Sequence, residues 1–321
     1  MENQMTLHHD KELFSELITR TSEMLKMPEI YIEKDYWVTY ILFALSQMDA
    51  DIQDKVVFKG GTSLSKAHRL IERFSEDIDL AVVAEGLNGN QTKKLLKTLE
   101  KSLAQLPLEE IADHPQMTKG SEYRKSVYAY PQLREGDFGD AVNVIILELN
   151  TFAHPTPNSK MTVSTYINAF LEKENREDIV SEYALDSFEV SVLDLKRTLC
   201  EKISAIARAS YDGDAQMQKK IRHLYDIHLL LQKPEIQTFL GSDAFDEMMN
   251  IVKDDDSDNK QFNEDWAGKP ILDAPVFKET SLIMSRLHSY YHETFRSLVY
   301  GELPDIQTIE ESILILKGRL Q

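Results

Sequence analysis

Residues 59–83 read KGGTSLSKAHRLIERFSEDIDLAVV. A glycine pair leads into a helix-forming stretch, and two aspartates then alternate with apolar residues. In an extended strand successive side chains point to opposite faces, so Asp77 and Asp79 share one face while Ile78, Leu80 and Val82 share the other. Two carboxylates that close repel, and a divalent cation between them relieves the repulsion. The spacing points to a metal-dependent phosphoryl-transfer site.

Immediately upstream, Val56-Val57-Phe58 is short, β-branched and aromatic, so the order is strand, tight turn, helix. Gly60 and Gly61 take positive φ readily and let backbone approach a ligand, Thr62 or Ser63 caps the helix, and the helix runs from Ser65 to Arg73. Backbone N–H groups at such a start attract phosphate. Further upstream, residues 10–25 form an amphipathic helix on Leu13, Leu17 and Ile18. EIYIEKDYWVTYILFALSQM follows, apolar around nearly its whole circumference and therefore buried, with Glu33, Lys34 and Asp35 as a solvated, charged first turn.

Downstream, a polar helix spans 88–106, a strand 123–130, a turn 136–140, and AVNVIILELNTF (141–152) reads as a central strand. Glu148 falls on the face of Val142, Val144 and Ile146, where an acid needs a partner. That partner is either an arginine such as Arg124 or Arg134, or the cation held by Asp77 and Asp79. His154-Pro155-Thr156-Pro157 breaks the chain and divides it into domains 1–155 and 156–321, the second mainly helical with a short strand at 188–192. Lys202 interrupts the apolar stripe of Leu195, Leu199 and Ile206, and either snorkels to solvent or reaches an anion in a cleft. Asp226, embedded in QKKIRHLYDIHLLLQ, either pairs with Arg222 one turn away or serves the site. The acids of 254–265 lack the glycine and the closing glutamate of a calcium loop and read as a solvated acidic loop. Residues 281–298 and 306–320 are two further amphipathic helices.

At 321 residues, 42% hydrophobic and 28% charged, the chain can bury a sizeable core, and no apolar run reaches a membrane span of ~18–20 residues. The one cysteine, Cys200, excludes a disulfide framework and a cysteine-based zinc site. With no secretory leader at its start, the chain is expected in the cytoplasm and off the membrane. A net charge of -18 counts against non-specific nucleic-acid binding as the main activity. Lys93, Lys94, Lys97 and Lys101, and the cluster Lys219, Lys220 and Arg222, are either solvated faces or a local basic groove.

Lys59-Gly60-Gly61-Thr62-Ser63-Leu64 and Arg73-Phe74-Ser75-Glu76-Asp77-Ile78-Asp79-Leu80 together resemble the signature of the AbiEii/AbiGii-type nucleotidyltransferase toxins, within the DNA polymerase β-like nucleotidyltransferase fold. Leu199-Cys200-Glu201-Lys202 and Arg222-His223-Leu224-Tyr225-Asp226 resemble later motifs of that family in order and approximate spacing. The resemblance implies an α+β fold: a small mixed β-sheet nucleotidyltransferase core flanked by helices, with a mainly helical C-terminal part over the cleft. It further implies that Asp77 and Asp79 hold Mg²⁺ with Glu148 as third acid. Gly61, Thr62 and Ser63 contact the nucleotide phosphates within a binding set that includes Lys59, Gly60 and Ser75. Lys202 offsets triphosphate charge, and Asp226 is a distal catalytic aspartate. Two Mg²⁺ ions bridged by carboxylates suit in-line displacement at the α-phosphorus of an NTP, with pyrophosphate leaving. The acceptor implied is the 3′ end of tRNA or another RNA, and the partner a cognate antitoxin. The alternative is a non-catalytic nucleotide-sensing or partner-binding module on the same fold.

Overall fold

The computed structural model describes residues 4–75, 77–103, 105–136, 143–152, 154–258, 266 and 269–321. It divides into two compact units, the first built from Met1–His68, Phe74–Thr151 and Asn158–Val192, the second from Arg69–Arg73, Phe152–Pro157 and Leu193–Gln321. Among the described residues no helix is long and apolar enough to cross a membrane.

The first unit is organised on a mixed sheet. Its strands are β1 (Val56–Lys59), β2 (Asp77–Val82), β3 (Glu109–Glu110), β4 (Thr118–Lys119), β5 (Tyr123–Ala129), β6 (Ile145–Asn150), β7 (Asn158–Val163) and β8 (Phe188–Leu193). They lie in the order β3-β5-β6-β2-β1-β8-β7, with β4 paired to β5. β2 runs parallel to β6 and antiparallel to β1, and β5 is antiparallel to β6. Phe58, Ile78, Leu80, Leu147 and Leu149 are almost wholly buried, as an interior strand surface requires. The Gly89–Leu103 helix presses Leu96, Leu99 and Leu103 inward, and its Glu100 accepts from Ser126 and pairs with Arg124 on β5.

Asp10 caps the Lys11–Leu25 helix by accepting from Leu13 N. The Glu29–Ser46 helix is buried nearly all round, as its composition predicts. Its charged turn is not solvated: Glu33 and Lys34 are 0% exposed and Asp35 6%. Each meets a partner distant in sequence. Glu33 accepts from the backbone N–H groups of Leu133 and Arg134, and Lys34 lies over the Phe74 ring. Asp35 binds Lys66 Nζ and Tyr166 N, and Lys66 also donates to Ser164 O.

Other expectations change. The helix after the glycine pair is Gly60–Lys66, earlier and shorter than 65–73, and the left-handed Arg69 (φ 49°) lies beyond its end. Strand β7 has no counterpart in the sequence reading, because NSKMTV is mostly exposed and lacks apolar alternation. The helix expected around Asp226 is two, Asp214–Lys219 and Ile221–Leu231, and the acidic residues 254–258 complete the Asp243–Asp258 helix instead of forming a loop. Asp137–Asp140 of the expected turn, Val142 and residues 259–265 lie outside the described residues.

The second unit is helical, and two short segments from earlier in the chain complete it. Glu72 O accepts from Tyr300 N and Gly301 N, and Arg73 bridges Val299. His154 binds Asp255 through its backbone N–H and its ring, and Arg197 pairs with the same carboxylate. The Ile306–Leu320 helix forms as the sequence predicts, whereas the helix expected over 281–298 runs Thr280–Glu293 and is followed by a separate 3-10 turn, Phe295–Leu298.

Removing Asp35 leaves the Lys66 ammonium buried without its counter-charge, a loss of roughly 3–5 kcal/mol. Asp35→Ala is expected to lower the urea midpoint accordingly, and Asp35→Asn, which keeps an acceptor for Tyr166 N, to lower it less.

Candidate functional site

The two aspartates are placed by strand register. Asp79 stands opposite Glu148 in the parallel β2–β6 pair, Lys59 opposite Asp79 on β1, and Lys125 opposite Glu148 on β5. Register partners share a face. One row across four strands therefore reads Lys59, Asp79, Glu148, Lys125, two acids flanked by two cations, with Asp77 two residues along β2 on the same face. Lys125 Nζ lies 2.7 Å from Glu148 Oε1, the side chains being 20% and 22% exposed. Neither arginine anticipated for Glu148 takes that place: Arg124 pairs with Glu100 and Arg134 with Glu29. Arg124 is excluded by its neighbouring position on β5, which points it to the opposite face.

Tyr123, two residues before Lys125, joins this face. Burial, then the charge and hydrogen bond of Glu148, then Asp79 and Asp77, push its phenol well above the usual value. Burial disfavours the Lys125 ammonium, but Glu148, Asp77 and Asp79 outweigh burial and hold its pKa above the usual value. Lys125 therefore stays charged at neutral pH. Neither Tyr123 nor Lys125 is marked by its sequence, since only the register with Glu148 brings them to the acids.

Gly60 is required by geometry. Its φ is +76°, and a Cβ built there would lie 2.0 Å from Asp79 Oδ2 and 3.0 Å from Asp79 Cβ. The missing side chain is the space the Asp79 carboxylate occupies. Thr62 and Ser63 are buried and their hydroxyls are engaged, Thr62 with Asp77 O and Ser63 with Gly60 O at 2.9 Å. They do not cap the helix, whose N-cap is Lys59 without a side-chain bond. Thr62 instead ties the helix to the first residue of β2. Lys59, Gly61 and Ser75 are half-buried.

The donor set fits Mg²⁺. Asp77 and Asp79 offer hard carboxylate oxygens, and Gly60 leaves room for one of them. Among the described residues no group of three or more His, Cys, Asp and Glu side chains is arranged to hold a metal ion. An ion on the two aspartates would complete its shell from phosphate oxygens and water, as Mg²⁺ commonly does.

Lys202 and Asp226 form a separate cluster in the second unit. Asp226 is 0% exposed, and Arg73 grips it with two bonds, Nε to Oδ1 at 2.7 Å and Nη2 to Oδ2 at 2.6 Å. Lys202 Nζ adds a third at 2.8 Å to Oδ2 and lies 3.4 Å from His223 Nδ1. Lys202 therefore does not snorkel to solvent, and the group it meets is the buried Asp226 carboxylate and not an anion in a cleft; Asp226 in turn pairs with Arg73 and Lys202 and not with Arg222. Arg73 was missed as a functional candidate, and the signal was available: a carboxylate embedded in an apolar helix needs a cation, and Arg73 stands in the same motif as the aspartates. Burial would raise the Asp226 pKa, but Arg73 and Lys202 outweigh it and hold the carboxyl below its usual value. Burial and the cations Lys202, Lys220, Arg73 and Arg208 keep the His223 imidazole neutral, well below its usual value.

A family model described as nucleotidyl transferase AbiEii toxin, type IV toxin–antitoxin system, matches residues 41–311. The chain belongs to this family. It is accordingly a nucleotidyltransferase of the AbiEii type and the toxin component of a type IV pair, with an NTP as substrate and an antitoxin as partner. No curated protein gives a significant match. Among solved structures the AbiEii chain is similar to MenT4, a nucleotidyltransferase toxin from Mycobacterium tuberculosis H37Rv, at 15% identity and a TM-score of 0.46, over 93% of this chain and 98% of that one.

Two outcomes follow from the geometry of this AbiEii chain. Gly60→Ala is expected to cost at least ~1 kcal/mol in urea unfolding, from the positive φ, and to displace the Asp79 carboxylate with loss of transfer activity. His223 is neutral when folded, whereas the unfolded chain protonates it below about pH 6.5, so protons favour unfolding and stability falls as pH drops through that value. Asp226 adds a second loss below about pH 4, where the unfolded carboxyl takes up a proton that the folded one refuses. Urea midpoints measured from pH 7.5 to 5 should fall for the wild type and fall less for His223→Gln.

Proposed function

We propose that the chain moves a nucleoside monophosphate from an NTP to an acceptor hydroxyl in a Mg²⁺-dependent reaction, that the acceptor is the 3′ end of a tRNA or another RNA, and that a cognate antitoxin restrains it in the cytoplasm. The observation that carries this reading is the acidic face of β2 and β6, with the Asp79 carboxylate seated in the space left by Gly60. Asp77 and Asp79 are the residues that would hold the ion. Bound there, Mg²⁺ supplies positive charge to the α-phosphate and to the departing pyrophosphate.

The chain's own residues account for the remaining needs. Gly60 and Gly61 offer backbone without side chains, so phosphate contact at the turn falls to N–H groups, because the Thr62 and Ser63 hydroxyls are already engaged. Lys59 and Ser75 border the same stretch and complete the nucleotide-binding set. A carboxylate oxygen of the aspartate pair accepts the proton of the attacking hydroxyl. In the second unit Asp226 fixes the Lys202 ammonium. An acidic chain that acts on RNA needs a local basic surface. Lys93, Lys97 and Lys101 recur at intervals of four along the Gly89–Leu103 helix, and with Lys94 all are exposed.

The test is incubation with each labelled NTP, Mg²⁺ and total RNA. Wild type should label RNA, and Asp79→Ala, folded by circular dichroism, should lose at least about 100-fold of the rate. Equal labelling by the variant, or no transfer from any of the four NTPs, overturns the proposal.

A further inference from the structure

A phosphoryl-transfer site with two metal ions places them about 3.5–4 Å apart and needs carboxylates for both. The third acid here is already committed. Glu148 pairs with the Lys125 ammonium at 2.7 Å and also accepts from the Tyr123 phenol. Both partners come from alternate residues of β5, the strand next to β6, and register holds Lys125 directly opposite Glu148. The pair is mostly shielded from solvent, so its attraction is stronger than at an open surface. Among the described residues no trio of acids is arranged as a metal cage.

We propose that Lys125 takes the place of a second metal ion: the site binds one divalent ion, at Asp77 and Asp79, and the Lys125 ammonium held by Glu148 supplies the other positive charge. With Lys59 at the other end of the row, one divalent ion and the two ammoniums more than balance the three carboxylates, so no second ion is needed for charge. An ammonium has three protons to donate. One satisfies Glu148, and the others are available to phosphate oxygens, so Lys125 serves as a substrate-contacting group as well as a counter-charge. The assignment rests on the preceding reading for the location of the first ion.

Mn²⁺ binding to the full chain, followed by its paramagnetic resonance signal, tests this without turnover. Ions are counted as the excess over an Asp77→Asn/Asp79→Asn double variant. Wild type and Lys125→Arg should each bind one ion. Lys125→Met, with Glu148 released, should bind a second ion or bind the first at least about tenfold more tightly. Two ions in the wild type overturn the proposal by themselves, even if Lys125→Met fails to fold. So does a folded Lys125→Met that matches wild type in number and affinity, and in that case the aspartate site still stands. Wild type that binds no more than the double variant overturns the aspartate site and the lysine assignment together.

Discussion

Carboxylates crowded on one face of a sheet are held there by the charges that register sets beside them. In the first unit the parallel β2–β6 pairing aligns Asp79 with Glu148, and the antiparallel neighbours bring Lys59 and Lys125 to the two ends of the row. Strand order therefore does electrostatic work. A shift of register by one residue would turn these side chains to the opposite face and destroy the arrangement. The turn before the Gly60–Lys66 helix is subordinate to the same constraint, since Gly60 yields its side-chain volume to Asp79 and Thr62 fastens the helix to the backbone of Asp77.

The second unit solves the inverse problem. A single carboxylate, Asp226, stands between two cations with no solvent access. Desolvating three charges is expensive, and such a cluster is tolerable only because hydrogen bonds accompany every charge contact. The outcome is a carboxyl that resists protonation and an ammonium with a fixed position.

The chemistry of the chain was legible where its signal was local. The alternation that puts Asp77 and Asp79 on one face is a property of six consecutive residues, and β2 forms over those residues. Glu148 stood out because an acid is conspicuous in an apolar strand. Partners were not legible, since they are set by strand order and chain return. Glu33, Lys34 and Asp35 look like a solvated helix start because their neutralising groups are Leu133 and Arg134 amides, the Phe74 ring and Lys66. Arg124 and Arg134 were candidates for Glu148 by type, and Lys125, next in sequence to Arg124, was chosen by the pleat. β7 left no trace because a mostly exposed edge strand needs no apolar alternation.

The bond between Arg73 and Asp226 spans 153 residues of sequence. At about 5–20 residues per second of synthesis, Arg73 waits on the order of 8 to 30 seconds on the ribosome before its partner is made. During that interval every strand of the sheet up to Val192 has been translated, while the second unit still lacks the helices that receive residues 69–73. The order of translation therefore separates the two units in time: the strands that carry Asp77, Asp79 and Glu148 are synthesised before Asp226, without which the Arg73 cluster cannot close. A fragment that begins at Leu193 would have the same defect permanently, with Asp226 left to Lys202 alone.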